Sequence, residues 1–236
     1  TCDFCIDWDR PYRQLPLERL AADLRMVATT IPGAMVSFHD PNFAIKFDAV
    51  LDVLEELPVE ARPPYIMESS LAVLRGTRPR RLSATKCAMA APGIESWSAY
   101  SAKAGTPNLT GAMKVSRLVD HFSELHEHVP YLQANFLFGA DDDRGDEPVE
   151  LTRSFMSQTP FVWPVINIPH PFGGTPFFAR ALAEERLLPT LPFSFYYSPY
   201  LATVLRHYDP RTYYAKLIAL FEHFTAPTML MRRLRA

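Results

Sequence analysis

The stretch Leu132-Gln133-Ala134-Asn135-Phe136-Leu137-Phe138-Gly139-Ala140-Asp141-Asp142-Asp143 reads as an apolar strand running into a glycine and three carboxylates. Residues 148–157 follow with helical spacing and an acidic start, and residues 161–168 form the next apolar run. A strand, a crossover helix and a second strand make a right-handed parallel unit. The same alternation extends in both directions. Upstream, strands are expected at 34–38, 64–67 and 89–94, with helices at 16–30, 47–57, 83–89 and 112–126. Downstream, helices are expected at 176–185 and 211–224. The strands read as unbroken apolar runs, which fits a sheet covered on both faces. Polar residues and glycines gather just after each strand, the rim that carries sites in α/β barrels and open sheets.

Bulk properties narrow the function classes. The chain has 236 residues, 48% of them apolar and 21% charged, enough for a sizeable core. A net charge of -2 gives no electrostatic case for nucleic acid or an anionic membrane. The basic run Arg75-Gly76-Thr77-Arg78-Pro79-Arg80-Arg81 reads as a solvated face, with a substrate-phosphate site as the alternative. Three cysteines make no disulfide framework, so a reducing, cytoplasmic setting is expected. No apolar run reaches transmembrane length. Cys87 reads as a packed core residue in a helical stretch.

Cys2-Asp3-Phe4-Cys5 is the motif with the most chemistry. Two thiols three residues apart lie on one tight turn and suit a metal. A zinc knuckle needs two further local ligands, and the next histidine is His39. A thioredoxin-like pair should open a helix, which Trp8-Asp9-Arg10-Pro11 opposes. Cluster ligation, zinc and incidental cysteines all stay open at this point, with the cluster favoured.

In this order the segments resemble the radical S-adenosylmethionine (SAM) enzymes, and within them the group that often carries an upstream cobalamin-binding domain. Cys2, Phe4 and Cys5 match the last three marked positions of that family's C-x-x-x-C-x-aromatic-C motif. Phe38-His39-Asp40-Pro41-Asn42-Phe43 resembles its segment after the second strand, Gly93-Ile94-Glu95-Ser96 that at the fourth, and Phe138-Gly139 the end of the fifth. Pro171-Phe172-Gly173-Gly174-Thr175-Pro176 resembles the segment after the sixth, with Gly173-Gly174-Thr175 replacing Pro-Gly-Thr.

The resemblance implies a partial (β/α)6 TIM-like barrel over residues 1–188, its first strand outside the chain. Residues 189–236 would pack on it as a helical and aromatic extension. The chain is expected to be an excerpt starting inside the cluster loop. The resemblance also implies Cys2 and Cys5 as ligands of a [4Fe–4S] cluster. Phe4, Asp40, Asn42, Glu95, Ser96, Gly173, Gly174 and Thr175 would line SAM. Cobalamin would reach the site from a domain outside this chain. A small-molecule substrate and an electron donor such as flavodoxin or ferredoxin are the implied partners, with no nucleic acid and no membrane. The implied reaction is methylation, cyclisation or rearrangement through a 5′-deoxyadenosyl radical. A methylthiotransferase acting on RNA or protein and a non-catalytic α/β binding module are the alternatives.

Bland readings stand beside several of these residues. Ser96 can cap the following helix. Asp40 and Asn42 can form an Asx turn beside Pro41. Glu68, after the third strand, and His170, on the sixth-strand loop, are the candidates for substrate binding or proton transfer. Asp141, Asp142 and Asp143 read as a solvated loop in preference to a cation site. His121, His126 and His128 read as packed or surface helix residues, and Phe193, Phe195, Tyr196, Tyr197 and Tyr200 as core.

Overall fold

In the computed structural model, which describes residues 3–40, 42–98, 104–188 and 190–235, strands and helices alternate as expected. The elements run α1 (Leu17–Thr30), β1 (Val36–Phe38), α2 (Phe47–Glu55), β2 (Tyr65–Ser70), α3 (Arg78–Ala84), β3 (Cys87–Glu95) and α4 (Gly111–His126). They continue with β4 (Tyr131–Leu137), α5 (Glu147–Gln158), β5 (Val162–Asn167), α6 (Pro176–Ala183), α7 (Pro210–Thr225) and α8 (Pro227–Arg235). The five strands form one parallel sheet in sequential order β1 to β5. This is the open, barrel-like α/β architecture the strand–helix alternation implies.

One face of the sheet carries the core. Tyr65, Met67, Ala90, Leu132, Ala134, Phe136, Val162 and Ile166 point to the helices and pack in one apolar cluster. Leu51 and Leu54 of α2, Leu118 and Phe122 of α4 and Phe155 of α5 meet them there, all fully buried. Burying such a side chain contributes about 1.5–3 kcal/mol each. Among the described residues the opposite face is only partly covered, with Ala91, Gly93 and Glu95 of β3 buried. Ser37, Glu68, Gln133, Asn135, Val165 and Asn167 alternate with the core residues and are exposed or half-buried. The expectation of apolar runs covered on both faces is therefore corrected. The second face lines a lumen, and Glu68, Gln133, Asn135 and Asn167 mark it at period two.

The expected helix over 83–89 is also corrected. The helix lies earlier, over Arg78–Ala84, and Cys87 already opens β3. The acidic face of α2 decides this. Arg78 and Arg81 donate to Asp48 at 2.6 and 3.0 Å, and Arg81 also reaches Asp52 at 2.6 Å and Glu55 at 2.8 Å. Lys86 takes a left-handed φ of 66° and ends the helical path, so Cys87 can pair with Tyr65. Cys87 is buried, as expected, but in a strand.

Beyond α6 the chain returns to the sheet. Leu187 bridges Thr203, and Leu205, Tyr208, Tyr213, Leu217, Leu220 and Phe224 join the main core. The aromatic segment does not. Phe193, Tyr197 and Tyr200 are exposed, so the expectation of a packed aromatic core there is corrected. Helix α8 has no counterpart in the sequence reading; it folds against α5, where Arg232 donates to Ser157 O at 2.8 Å. Among the described residues no helix is long and apolar enough to cross a membrane.

Candidate functional site

The C-terminal rim of the sheet is crossed by the N-terminal segment. Asp3 O accepts from Phe177 N at 3.0 Å, and its carboxylate accepts from Arg180 at 2.8 Å. Trp8 Nε1 donates to Gly174 O at 2.9 Å. Further along, the Tyr12 hydroxyl donates to Asp40 Oδ2 at 2.8 Å. Residues 3–12 thus form a strap from the loop after β5 to the loop after β1. Burial first, and then the Asp40 carboxylate, push the Tyr12 hydroxyl up to about 12. Cys5 sits in this strap as a half-buried free thiol, next to Phe4. Cys2 lies outside the described residues. Among the described residues no group of three or more His, Cys, Asp or Glu side chains is gathered for a metal.

One cavity opens beside the strap and a second in the lumen. The first, about 430 Å³, is lined by Asp3, Phe4, Leu137, Ala140, Phe177 and Arg180, with Asp141, Asp142, Arg144, Pro169, Arg206 and His207 completing the wall. The second, about 350 Å³, lies in the lumen between Glu68, Ser69, Ala91, Gly93, Glu95, Gln133, Asn135, Val165 and Asn167. Leu137, on the wall of the first, pairs in register with Asn167, on the wall of the second.

Buried polar groups hold the rim loops. Asp143, 1% exposed, accepts from Gly139 N at 2.9 Å and Ala140 N at 3.1 Å through Oδ2. Its Oδ1 accepts from Ser96 at 3.0 Å and Ser98 at 3.2 Å. Burial raises its carboxyl above the ordinary value, and these four donors oppose the rise. Lys114, in the first turn of α4, is fully buried and donates to Ser96 O at 2.5 Å and Trp97 O at 3.4 Å. Desolvation pulls its ammonium down to about 8, with Asp143 acting in the other direction. Gly139 must be glycine. Its φ is 97°, and a Cβ there would lie 2.9 Å from Tyr213 Cε2.

The sequence-predicted residues divide accordingly. Glu68, Glu95 and the lumen share the second cavity; Phe4 lines the first. Glu95 has a left-handed φ of 63° at a register irregularity after Gly93, a conformation that costs about 1–3 kcal/mol and re-aims the side chain. Ser96 does not cap α4: Thr110 holds that position, and Ser96 bonds the loop to Asp143 instead. Asp40 accepts from Asn42 N at 2.8 Å, the Asx turn, and Asn42 Oδ1 accepts from Ser70 N at 3.2 Å, tying β1 to β2. Thr175 caps α6, accepting from Phe178 N at 3.1 Å, while nothing lies within 4 Å of a Cβ built at Gly173 or Gly174. His170 lines neither cavity. Among the described residues neither of its buried ring nitrogens has a hydrogen-bond partner, and desolvation lowers its pKa.

The solvated-loop reading of residues 141–143 is corrected by the burial of Asp143. Asp141 is equally engaged, pairing with Arg180 at 3.2 Å, Arg186 at 3.0 Å and Arg206 at 3.4 Å. His121 is packed, bonded to Leu74 O at 2.6 Å. The sequence reading missed Lys114, Gln133, Asn135 and Asn167. The period-two polarity of the strands was the available signal for the last three; a lysine in a first helical turn offers none.

No family model matches the chain. It is similar to a bacteriochlorophyllide d C-12(1)-methyltransferase of Chlorobaculum tepidum, 24% identical over 189 residues, covering 75% of this chain and 39% of that protein. Among solved structures it superposes on the radical SAM methyltransferase TsrM of Kitasatospora setae, described with cobalamin and a [4Fe–4S] cluster bound. The TM-score is 0.55 at 13% identity, over 72% of this chain and 34% of that one. It also superposes on SuiB of Streptococcus suis bound to SAM, with a TM-score of 0.54 at 11% identity, over 95% of this chain and 44% of that one. The chain therefore spans about a third to under a half of the length of these relatives and shares the fold of radical SAM enzymes.

Proposed function

We propose that this chain is the SAM-binding part of a radical SAM enzyme that methylates, cyclises or rearranges a small organic substrate. The observation that carries the reading is the strap. It sets Phe4 in the wall of the rim cavity, with Cys5 next to it, and is tied to the loop after β5 through Trp8 and Asp3. The similarity to a methyltransferase and the shared fold support it.

The donor chemistry fits an iron–sulfur cluster. Cys2 and Cys5 supply soft thiolates three residues apart, and Cys5 lies in a turn fixed by backbone and side-chain bonds on either side. When bound, a [4Fe–4S] cluster supplies the electron that cleaves SAM to methionine and a 5′-deoxyadenosyl radical. The chain's own residues bind and orient. Phe4 and Phe177 offer aromatic walls for the adenine, and the open backbone at Gly173 and Gly174 can approach it closely. Glu95 offers hydroxyl-binding oxygens for the ribose. Ser96 acts through the loop, because its hydroxyl is already bonded to Asp143. Trp8 and Phe4 over the rim exclude water from the site where a radical would form. Cobalamin from a further domain and a flavodoxin- or ferredoxin-type electron donor complete the reading.

Anaerobic reconstitution of the full-length protein with iron and sulfide tests it. The expected result is a brown protein that converts SAM to 5′-deoxyadenosine and loses both properties in C5A. A colourless protein that retains zinc refutes it.

A further inference from the structure

The two cavities differ in recognition chemistry. The rim cavity is walled by Arg144, Arg180 and Arg206 together with three aspartates. The lumen cavity is lined by two carboxylates, by three side-chain amides on β4 and β5 and one hydroxyl on β2, and by no arginine, lysine or histidine among the described residues. At about 350 Å³ it is the size of a small-ligand site.

Its polar groups are also unequally engaged. Gln133 donates to Asn135 Oδ1 at 2.7 Å, and Asn135 donates to Ala91 O at 3.2 Å, so these two amides brace one another across β3 and β4. Among the described residues no hydrogen bond or ion pair engages the side chain of Glu68 or of Asn167, and both project from their strands into the lumen as its exposed residues. Glu68 pairs in register with Ala91, and Gly93 with Asn135. The small residues of β3 therefore leave open space beside the carboxylate where larger side chains would fill it. A carboxylate in a cleft with low-dielectric walls focuses its field on what enters. It accepts hydrogen bonds only, and its strongest partners are cationic donors.

We propose that the lumen selects a substrate bearing a protonated amine, held by Glu68, with the Asn167 amide as a second contact. This deepens the reading above and rests on it only for the reaction, since amine selection by the lumen requires neither cluster nor SAM. An alcohol of the same shape would lose the charge-assisted bond. An anion would meet Glu68 and Glu95 in the same cavity.

Ligand-observed NMR on the full-length protein tests this with three matched probes: 2-phenylethylamine, 2-phenylethanol and 3-phenylpropionate. The expected result is amine binding at least about tenfold tighter than alcohol binding, no detectable carboxylate binding, and loss of the amine preference in E68Q. The comparison of amine with alcohol in the unaltered protein stands even if E68Q is poorly folded. Equal binding of amine and alcohol, an unchanged amine affinity in folded E68Q, or no amine binding at all overturns the proposal. Conversion of SAM to 5′-deoxyadenosine is followed in parallel. Amine selection without that conversion refutes the radical SAM reading alone, and conversion without amine selection refutes the present one alone.

Discussion

Replacing Gly139 by alanine tests how the rim loop after β4 is fixed. Two costs add. At φ 97° an alanine is in a backbone region that L-residues avoid, which costs about 1–2 kcal/mol. The new methyl would also stand 2.9 Å from Tyr213 Cε2 and 3.3 Å from Leu205 Cδ1. The tyrosine cannot retreat easily. It is fully buried, its hydroxyl donates to Phe138 O at 2.9 Å, and its ring stacks on Phe138 at 5.0 Å. Forcing a methyl into such packing costs about 1–3 kcal/mol. The sum is about 2–5 kcal/mol, a large share of the about 5–15 kcal/mol that holds a domain together. Urea titration of the full-length protein, followed by tryptophan fluorescence, measures it; the midpoint should fall by about 1–2 M. G33A is the internal reference, because Gly33 has φ 82° and nothing within 4 Å of a built Cβ. It should cost only the backbone term, about 1 kcal/mol. A double variant, G139A with Y213L, should recover the steric part and show coupling of about 1–2 kcal/mol. If G139A costs no more than G33A, the steric argument is wrong.

Further predictions follow from buried groups. Lys114 has its ammonium pulled from 10.5 to about 8, so the unfolded chain binds more protons between those values. The unaltered protein should therefore gain stability relative to K114M as pH rises from 8 to 10.5, by at most about 3 kcal/mol, read from paired urea titrations. No gain across that window sinks the assignment. Burial pushes the Cys87 thiol up to about 12, so under native conditions a thiol reagent at pH 7.5 should label Cys5 and spare Cys87, as peptide mass spectrometry would show. Rapid native labelling of Cys87 would contradict its burial. D143A leaves two backbone donors and two hydroxyls without their acceptor and should cost about 2–4 kcal/mol by urea titration, with D143N intermediate. A loss below about 0.5 kcal/mol would mean that the loop is not held by this carboxylate.

The alternation of strands and helices was legible because each helix carries its own apolar period, and the strand 132–138 and helix 112–126 lie within a residue of their observed ends. The rim was legible because glycines and polar residues follow the strands. What failed had a tertiary cause. Arg78 and Arg81 drew α3 forward onto the acids of α2, so local periodicity at 83–89 misled. Ser96 looked like a cap because serine usually is one, yet an aspartate 47 residues later claims its hydroxyl. Asp143 sat in a run of three acids that reads as solvent-facing, yet it turns inward to four donors, two of them serines 45 and 47 residues earlier. The polar lumen was written in Glu68, Gln133, Asn135 and Asn167, but apolar neighbours masked the period.

The strap has a consequence for biogenesis. Asp3 meets Arg180 across 177 residues of chain, and Trp8 meets Gly174 across 166. At a synthesis rate of about 5–20 residues per second, the anchor residues leave the ribosome roughly 8–35 s after the strap itself. Throughout that interval Cys5 has no fixed turn around it, and the thiol is open to oxidants and stray metals. Fidelity at this cysteine is thus a matter of timing: whatever shields it must act before residue 180 is translated.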